Sequence, residues 1–180
     1  MPSTSEHEWN LSSHPARLSD ELLLKDCDMT FGRASGPGGQ HRNKVETAVT
    51  IRHQPSGIQA SAVERRSQKE NRKVAMFRLK ISLAIELEAF AEEGEIPSDL
   101  WRNRCRGRKI FCNETHEDAP SMLAELMVCC RLHGFVHTEA AHQLECSGTQ
   151  LLKFLAKFPA ARTYFEKSRS ERGLSPLKYR

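Results

Sequence analysis

The residues best suited to chemistry lie in one stretch, Arg33 to Lys44, which has Gly38, Gly39 and Gln40 at its centre. Glycine lets the backbone enter left-handed conformations and lets another molecule approach bare main chain, while Pro37 removes one backbone donor. No Ser-His-carboxylate set, carboxylate pair or metal cluster adjoins the stretch. The loop can instead position a substrate and stabilise developing negative charge with backbone N–H groups. The competing interpretation is an ordinary flexible surface turn.

Positive charge is concentrated around this loop. Between Phe31 and Lys80, eleven basic residues stand against three acidic ones, a balance of +8, whereas the whole chain carries +4. Such a concentration favours a polyphosphate partner, because neutralising phosphates releases their counterions. A solvated basic face is the alternative.

The segments on either side of the loop are predicted to hold it on a small sheet. Apolar and polar residues alternate before and after the loop, and a Pro-Ser-Gly turn leads to a third segment that can return beside the second. A longer segment without Gly or Pro has apolar residues three and four apart, which predicts a helix of about 23 residues. The predicted elements are a helix capped by Ser19 at 18–24, strands at 26–31, 45–53 and 58–63, and a helix at 68–92. A short helical turn near residues 43–46 is equally compatible with the residues at the start of the second strand.

Five blocks in this region occur together in a known order. The stretch from about Phe31 to Ile85 resembles the catalytic domain of class I peptide chain release factors and of the small ribosome-rescue hydrolases related to them. The resemblance covers slightly under a third of the chain and implies an α+β fold: a small antiparallel sheet with the loop, packed by a long helix, over residues 18–93. The blocks are Ser35-Gly36-x-Gly38-Gly39-Gln40, Asn43-Lys44, Ala48-Val49, His53-x-Pro55-Ser56-Gly57-Ile58 and Arg66-Ser67-Gln68-x-x-Asn71-x-x-x-Ala75.

The resemblance implies that Gly38, Gly39 and Gln40 are catalytic in the peptidyl transferase centre of the large ribosomal subunit. There the main-chain N–H of Gln40 would stabilise the oxyanion or the leaving ribose oxygen, and its side chain would help admit water. The family's glutamine is commonly methylated, which implies a glutamine methyltransferase as a partner. His41 adjoins Gln40 but need not face the same reactive centre, so it is not assigned as a base. No cofactor and no metal are implied.

Contacts to ribosomal RNA are expected from the cations and amides around the loop. Asn43, Lys44, Gln68 and Asn71 match family positions that brace the loop or contact ribosomal RNA. Arg42 stands where the family usually has an apolar or small residue, which could strengthen an RNA contact or alter the seating of the loop. The full set of candidates in this domain is Arg33, His41, Arg42, Asn43, Lys44, Arg66, Gln68, Asn71 and Arg72.

The expected function is codon-independent hydrolysis of peptidyl-tRNA on stalled ribosomes, because nothing in the sequence resembles the domains with which full release factors read stop codons. The alternative is a non-catalytic ribosome- or RNA-binding protein that keeps the fold. The partners would be the ribosome and peptidyl-tRNA. No apolar run approaches the roughly 18 residues needed to cross a bilayer, so we expect a cytoplasmic monomer without a membrane partner.

Composition suggests further segments outside the catalytic domain. Residues 1–17 are predicted to be a disordered leader, and residues 94–120 a basic linker rich in Gly and Pro. Within the linker, the segment Trp101 to Lys109 places one indole among five cations, which is typical of RNA-contacting segments. An ordinary solvated linker is the alternative. This segment adds four RNA-binding candidates: Arg102, Arg104, Arg106 and Arg108.

The last third of the chain is predicted to be helical. Residues 121–166 resemble a small helix-turn-helix module, with a small helical bundle as the alternative, and residues 167–180 are predicted to be a disordered basic tail. Six cysteines follow no disulfide framework and have no regular zinc spacing. We therefore expect free thiols in a reducing compartment.

Overall fold

A computed structural model describes residues 8–33 and 46–179 of the protein. They form two compact units: a first unit that begins at residue 15 and ends at residue 83, and a second unit of residues 8–14 and 84 onward. The strands and helices, in chain order, are β1 (Trp9–Asn10), α1 (Asp20–Leu23), β2 (Cys27–Gly32), β3 (Ala48–His53), β4 (Gln59–Ala62), α2 (Gln68–Glu86), β5 (Ala89–Phe90), α3 (Asp99–Arg104), β6 (Cys105–Arg106), β7 (Lys109–Ile110), α4 (Ala119–Leu132), α5 (His137–Gln143), α6 (Gly148–Ala156) and α7 (Pro159–Glu171).

The first unit is built on a three-stranded antiparallel sheet with the order β2-β3-β4. Val49 and Ile51 are fully buried on one face of the central strand. On the other face, the hydroxyls of Thr50 and Ser61 share a hydrogen bond of 2.7 Å between neighbouring strands. The alternation of apolar and polar residues therefore correctly predicted a strand with one buried face.

Helix α2 packs on this sheet through a stripe of residues spaced four apart. Asn71, Ala75, Leu79 and Leu83 are all fully buried, as expected for one face of an amphipathic helix. The prediction of a small antiparallel sheet packed by one long helix is confirmed. The helix ends at Glu86, earlier than predicted, because the following residues form β5 and pair with β1 instead.

The short helix α1 begins where its capping residue predicted. The hydroxyl of Ser19 accepts a hydrogen bond from the backbone N–H of Leu22 at 3.3 Å. The ammonium of Lys80 on α2 lies 2.5 Å from a carboxylate oxygen of Asp20. This ion pair ties α1 to the long helix within the first unit.

The predicted disordered leader is wrong for residues 8–17, whereas residues 1–7 lie outside the described residues. Strand β1 pairs in parallel with β5, and the backbone N–H of Leu11 donates to the carbonyl of Phe90 at 2.8 Å. Leu11 and His14 are buried in the second unit. Composition missed this order because the partner strand lies far along the chain.

The predicted linker at 94–120 is also wrong, because it contains α3, the hairpin of β6 and β7, and a core tryptophan. Trp101 is 0% exposed. Its indole N–H donates to the carbonyl of Leu144 at 2.7 Å, and its ring meets that of Phe154 edge-to-face with centroids 6.4 Å apart. Ser98 caps α3 and donates its hydroxyl to the buried Glu125 carboxylate at 2.5 Å. The neighbouring arginines made this segment look solvent-exposed, yet Trp101 belongs to the core.

The rest of the second unit is helical, as expected. Helix α4 is buried almost all round, and α5 and α6 pack together after a short connection that ends at the Ser147 cap of α6. Only Thr149 and Lys153 of α6 are exposed. The order of α5, a short connection and α6 is that of the predicted helix-turn-helix-like module, and nucleic-acid contact by this module remains a prediction.

The predicted disordered tail is wrong, since its first five residues continue α7 and the rest folds back. Arg169 is buried, and its guanidinium donates to the carbonyls of Phe135 at 2.6 Å and Ser175 at 2.7 Å. The hydroxyl of Tyr179 donates to the carboxylate of Glu166 at 2.5 Å. Helix α7 begins with Pro159, a residue that suits the first turn of a helix.

Candidate functional site

The glycine-rich loop joins two paired strands of the first unit. Strand β2 ends at Gly32 and β3 begins at Ala48, and these two residues face each other across the ladder. We call the described residues at this junction, Gly32, Arg33, Glu46, Thr47 and Ala48, the loop root. The predicted site residues Gly38, Gly39, Gln40, His41, Arg42, Asn43 and Lys44 lie outside the described residues.

Asn71 on α2 holds the loop root with three side-chain hydrogen bonds. Its Nδ2 donates to the carbonyl of Thr47 at 2.6 Å and to the carbonyl of Arg65 at 3.0 Å, while its Oδ1 accepts from the backbone N–H of Arg65 at 2.9 Å. The residue is 0% exposed. The prediction that Asn71 binds RNA is therefore wrong: its amide is buried and braces the loop, the other role that the resemblance implied.

Gln68, one turn earlier on α2, makes a second brace. Its Nε2 donates to the carbonyl of Glu46 at 3.0 Å. The two amides thus bind the carbonyls of successive residues, Glu46 and Thr47, from one helix. Unlike Asn71, Gln68 is exposed, so its predicted RNA contact remains a prediction.

Exposed cations lie within the loop root and at the start of α2, the helix that binds the loop root. The guanidinium Nε of Arg33 lies 4.0 Å from a carboxylate oxygen of Glu46, but both side chains are more than half exposed, and such a surface pair stabilises little. The segment before α2 and the first turns of α2 carry an exposed basic cluster: Arg65, Arg66, Lys69, Arg72 and Lys73. These positions leave Arg33, Arg66 and Arg72 accessible to a polyanion, as their predicted role requires.

The His-x-Pro-Ser-Gly block serves the fold rather than chemistry. The buried ring of His53 shares a hydrogen bond of 2.8 Å between its Nδ1 and the hydroxyl of Ser56. Gly57 has φ of +72°, a left-handed conformation that glycine adopts without strain. The block therefore fixes the turn between β3 and β4.

The four arginines predicted to bind RNA in the second unit have different surroundings. The guanidinium of Arg104 is paired with Asp118, with Nε 2.8 Å and Nη2 2.7 Å from the same carboxylate oxygen. Arg108 sits at the tip of the β6–β7 hairpin, and its Nη2 donates to the carbonyl of Cys146 at 3.4 Å. Arg102 and Arg106 are exposed. Arg104 and Arg108 thus have structural contacts, and Trp101 is not available for stacking on a base.

All six cysteines are free thiols, and Cys112, Cys129, Cys130 and Cys146 are buried. Burial raises the pKa of the Cys129 and Cys146 thiols to about 12. Burial, followed by the neighbouring Asp26 and Asp28 carboxylates, raises the pKa of Cys27 to about 11. These thiols are therefore protonated packing groups rather than nucleophiles near neutral pH.

Residues 19–106 match the RF-1 domain family. This segment is an RF-1 domain. The RF-1 domain of this chain includes the loop root, both bracing amides and the basic cluster, and it ends within the β6–β7 hairpin.

Curated relatives of the RF-1 domain are peptide chain release factors. The chain is 38% identical over 106 residues to peptide chain release factor 2 of Campylobacter lari, a match that covers 56% of this chain and 29% of the relative. It is 48% identical over 65 residues to the chloroplastic peptide chain release factor PrfB1 of Arabidopsis thaliana, covering 36% of this chain and 14% of the relative. Peptide chain release factor 1 of Chloroherpeton thalassium is 49% identical over 63 residues, covering 35% of this chain and 18% of the relative. The chain thus spans less than a third of the length of these relatives.

Within residues 8–33 and 46–179, no helix has the length and apolar character needed to cross a bilayer. Over the same residues, no three His, Cys, Asp or Glu side chains are grouped closely enough to hold a metal ion.

Proposed function

We propose that the protein is a ribosome-dependent peptidyl-tRNA hydrolase that acts on stalled ribosomes without reading a stop codon. The observation that carries the proposal is the double brace at the loop root, where Gln68 and Asn71 bind the carbonyls of Glu46 and Thr47. A catalyst that works by positioning needs its loop held from a rigid element. Helix α2 is such an element, and the braced loop carries Gly38-Gly39-Gln40 in an RF-1 domain.

The proposed reaction is hydrolysis of the ester between the nascent peptide and the tRNA ribose. A water oxygen attacks the ester carbonyl carbon, the bond to the ribose oxygen breaks, and the ribose oxygen leaves with a proton. The backbone N–H of Gln40 would stabilise the oxyanion or the leaving oxygen, as backbone donors do in other acyl transfers. Gly38 and Gly39 would permit the backbone geometry that directs the N–H of Gln40 to this oxygen. Methylation of Gln40 by a glutamine methyltransferase would modify its side-chain amide.

Contacts with ribosomal RNA would come from the exposed cations near the loop root. Arg33, Arg66 and Arg72 are accessible, and cations at such positions gain affinity for phosphates through counterion release. Residues 41–44 of the loop would add further contacts. We assign recognition of the stalled complex to the second unit, and we expect the protein to act as a cytoplasmic monomer.

The same basic cluster also favours a second candidate function, a ribosome- or RNA-binding protein without catalysis. Binding needs the exposed cations but does not need the Gly-Gly-Gln tripeptide. Substitution within that tripeptide therefore separates the two candidates.

The test is release of labelled peptide from purified ribosomes carrying peptidyl-tRNA, on a truncated message and on a message with a stop codon in the decoding site. We expect release on the truncated message without dependence on a stop codon. Gln40→Val and Gly39→Ala variants should lose release while keeping ribosome binding. Release that persists in both variants would reject the hydrolase, and release that needs the stop codon would reject the rescue function.

A further inference from the structure

The β6–β7 hairpin of the second unit has two faces with opposite character. Cys105 pairs with Ile110 and Arg106 pairs with Lys109. The backbone N–H of Phe111 then donates to the carbonyl of Arg104 at 2.7 Å, which extends the ladder by one more pair. Because paired residues share a face and successive residues alternate, Phe111 lies on the same face as Arg106 and Lys109.

The hairpin is fixed to the helical core along the free edge of β7. The backbone N–H of Ile110 donates to the side-chain carbonyl of Gln150 on α6 at 3.3 Å, and Ser147 donates its N–H to the carbonyl of Arg108 at 3.2 Å. Beyond β7, the ammonium of Lys157 donates to the carbonyl of Cys112 at 2.6 Å. These contacts hold the hairpin from its tip to its end, so its outer face is a preformed surface.

That outer face is unfavourable for the isolated fold. Phe111 is 58% exposed, the highest value among the exposed large apolar side chains of the described residues. Arg106 and Lys109 are exposed and directly opposite each other, and like charges at opposed positions destabilise a strand pair. In the part of the chain that the structure describes, neither cation has an acidic side chain within ion-pair distance. An anionic ligand with a flat apolar surface would relieve both features.

We propose that Arg106, Lys109 and Phe111, which we call the hairpin face, bind single-stranded RNA. The two cations would pair with phosphates, and an unpaired base would stack on the Phe111 ring. Lys109 and Phe111 are two residues apart on one strand, about 7 Å, so a single nucleotide step can reach both. Duplex RNA has its base faces stacked and therefore cannot offer one to Phe111, and an acidic peptide supplies negative charge but no flat base. Both ligands should therefore bind the hairpin face more weakly than single-stranded RNA.

The proposal assigns the stacking role to Phe111 rather than to Trp101, which the arginine-rich sequence had suggested. Its geometry is independent of the proposed hydrolysis. Only the choice of RNA over other single strands rests on the proposed function. The hairpin face would give the second unit a specific surface with which to contact exposed RNA of a stalled complex.

The test uses the full-length protein and a fluorescein-labelled uridine dodecamer, with binding followed by anisotropy over a series of salt concentrations. An Arg66→Gln/Arg72→Gln background lowers the contribution of the basic cluster in the first unit. Phe111→Ala should weaken binding about fivefold to 150-fold, the range expected for one stacked base. Arg106→Gln/Lys109→Gln should reduce the slope of log K against log salt by about 1.4, as expected for the loss of two single-strand phosphate contacts.

Matched controls come from the same unit. Phe90 is another exposed phenylalanine, and Lys167 and Lys178 are exposed lysines on and after α7. Phe90→Ala and Lys167→Gln/Lys178→Gln should leave the affinity and the salt slope unchanged. Thermal unfolding of each variant confirms that it is folded, as we expect for exposed positions.

Several results would overturn the proposal. Unchanged binding by Phe111→Ala, or equal affinity of the wild type for duplex RNA, would exclude stacking on this face. Competition by a polyglutamate peptide as strong as that by RNA would point to a protein partner, and tighter binding of a deoxythymidine dodecamer would exclude RNA as the preferred strand. None of these readouts involves peptide release, so failure of the proposed hydrolysis would not alter them.

Discussion

The bracing role of Asn71 can be tested by changing one atom. Asn71→Asp keeps the size of the side chain but replaces its N–H donors with an oxygen. That oxygen would then face the carbonyls of Thr47 and Arg65, at the positions where Nδ2 now donates over 2.6 Å and 3.0 Å. The acceptor bond from the N–H of Arg65 can remain.

The expected loss follows from the two donor bonds. Leaving a buried carbonyl without a partner costs about 1–3 kcal/mol. Asn71 is fully buried, but Arg65 is exposed and Thr47 is half-buried, so water can reach part of the site. We therefore expect a loss of about 2–4 kcal/mol in the free energy of opening the β3 region. This corresponds to amide hydrogen exchange that is about 30-fold to 900-fold faster.

The effect should depend on pH with a defined sign. A carboxyl buried between two carbonyl oxygens has its pKa raised, because burial and both neighbours disfavour the charged form. The folded variant then binds its proton more tightly than the unfolded chain does. Its stability is therefore greatest at low pH and falls as the pH rises through the raised pKa. A protonated carboxyl can also donate one of the lost bonds.

Hydrogen exchange with mass spectrometry reads this effect locally, in peptides that cover β3. Both tryptophans, Trp9 and Trp101, lie in the second unit, so their fluorescence gives a separate check on that unit. Asn113→Asp makes the same chemical change at an exposed position of the second unit and should change neither readout. Exchange in β3 that is unchanged by Asn71→Asp, or a deficit that grows on acidification, would refute the assigned hydrogen bonds.

Three further predictions concern activity, core packing and thiol ionisation. Gln68→Ala should slow peptide release by about tenfold or more, because the loop is misplaced when the brace to Glu46 is lost. The control Gln59→Ala, at another exposed glutamine, should release peptide at the wild-type rate, and unimpaired release by Gln68→Ala would separate the brace from catalysis. Trp101→Phe should lower the unfolding free energy of the second unit by about 1–3 kcal/mol, measured by circular dichroism, because it leaves a buried carbonyl unpaired. RNA binding should be unchanged. Weaker RNA binding by the folded variant would show that the indole does contact RNA. The pKa of the Cys129 and Cys146 thiols is about 12 in the fold against an ordinary 9.0, so their contribution to stability is full below pH 9.0 and declines above it. Between pH 8 and about 10.5, the denaturation midpoint should therefore fall less in a Cys129→Ala/Cys146→Ala variant than in the wild type. An equal fall in both proteins would contradict this cause.

Local patterns predicted the first unit well because its elements are each defined by nearby residues. Alternation marked β3, the four-residue spacing marked α2, and the Ser19 hydroxyl marked the start of α1. The turn between β3 and β4 needed a residue with positive φ, which Gly57 supplies. In each case the sequence signal and its physical cause lie within a few residues.

Composition failed where order comes from distant partners. Trp9 lies in a polar segment but belongs to a strand whose partner is β5. Trp101 is surrounded by arginines in sequence, yet its indole N–H meets Leu144 and its ring meets Phe154 in the core. No local count of charges contains this information. The alternation of side chains along an extended segment places Lys109 and Phe111 on one face and could have drawn attention to Phe111. Only the strand pairing shows that Arg106 lies on that same face.

The backbone just before β3 bears on the proposed function. Alternation predicted a strand from residue 45, with a short helical turn near residues 43–46 as the alternative, and β3 begins at Ala48. In a regular strand, successive carbonyls point in opposite directions, so one helix could not bind those of both Glu46 and Thr47. The bonds from Gln68 and Asn71 therefore favour an irregular backbone at these two residues. Residues 46 and 47 therefore bind α2 through their carbonyls and do not continue the strand. A loop that is held by a helix in this way suits a catalyst that works by positioning its substrate.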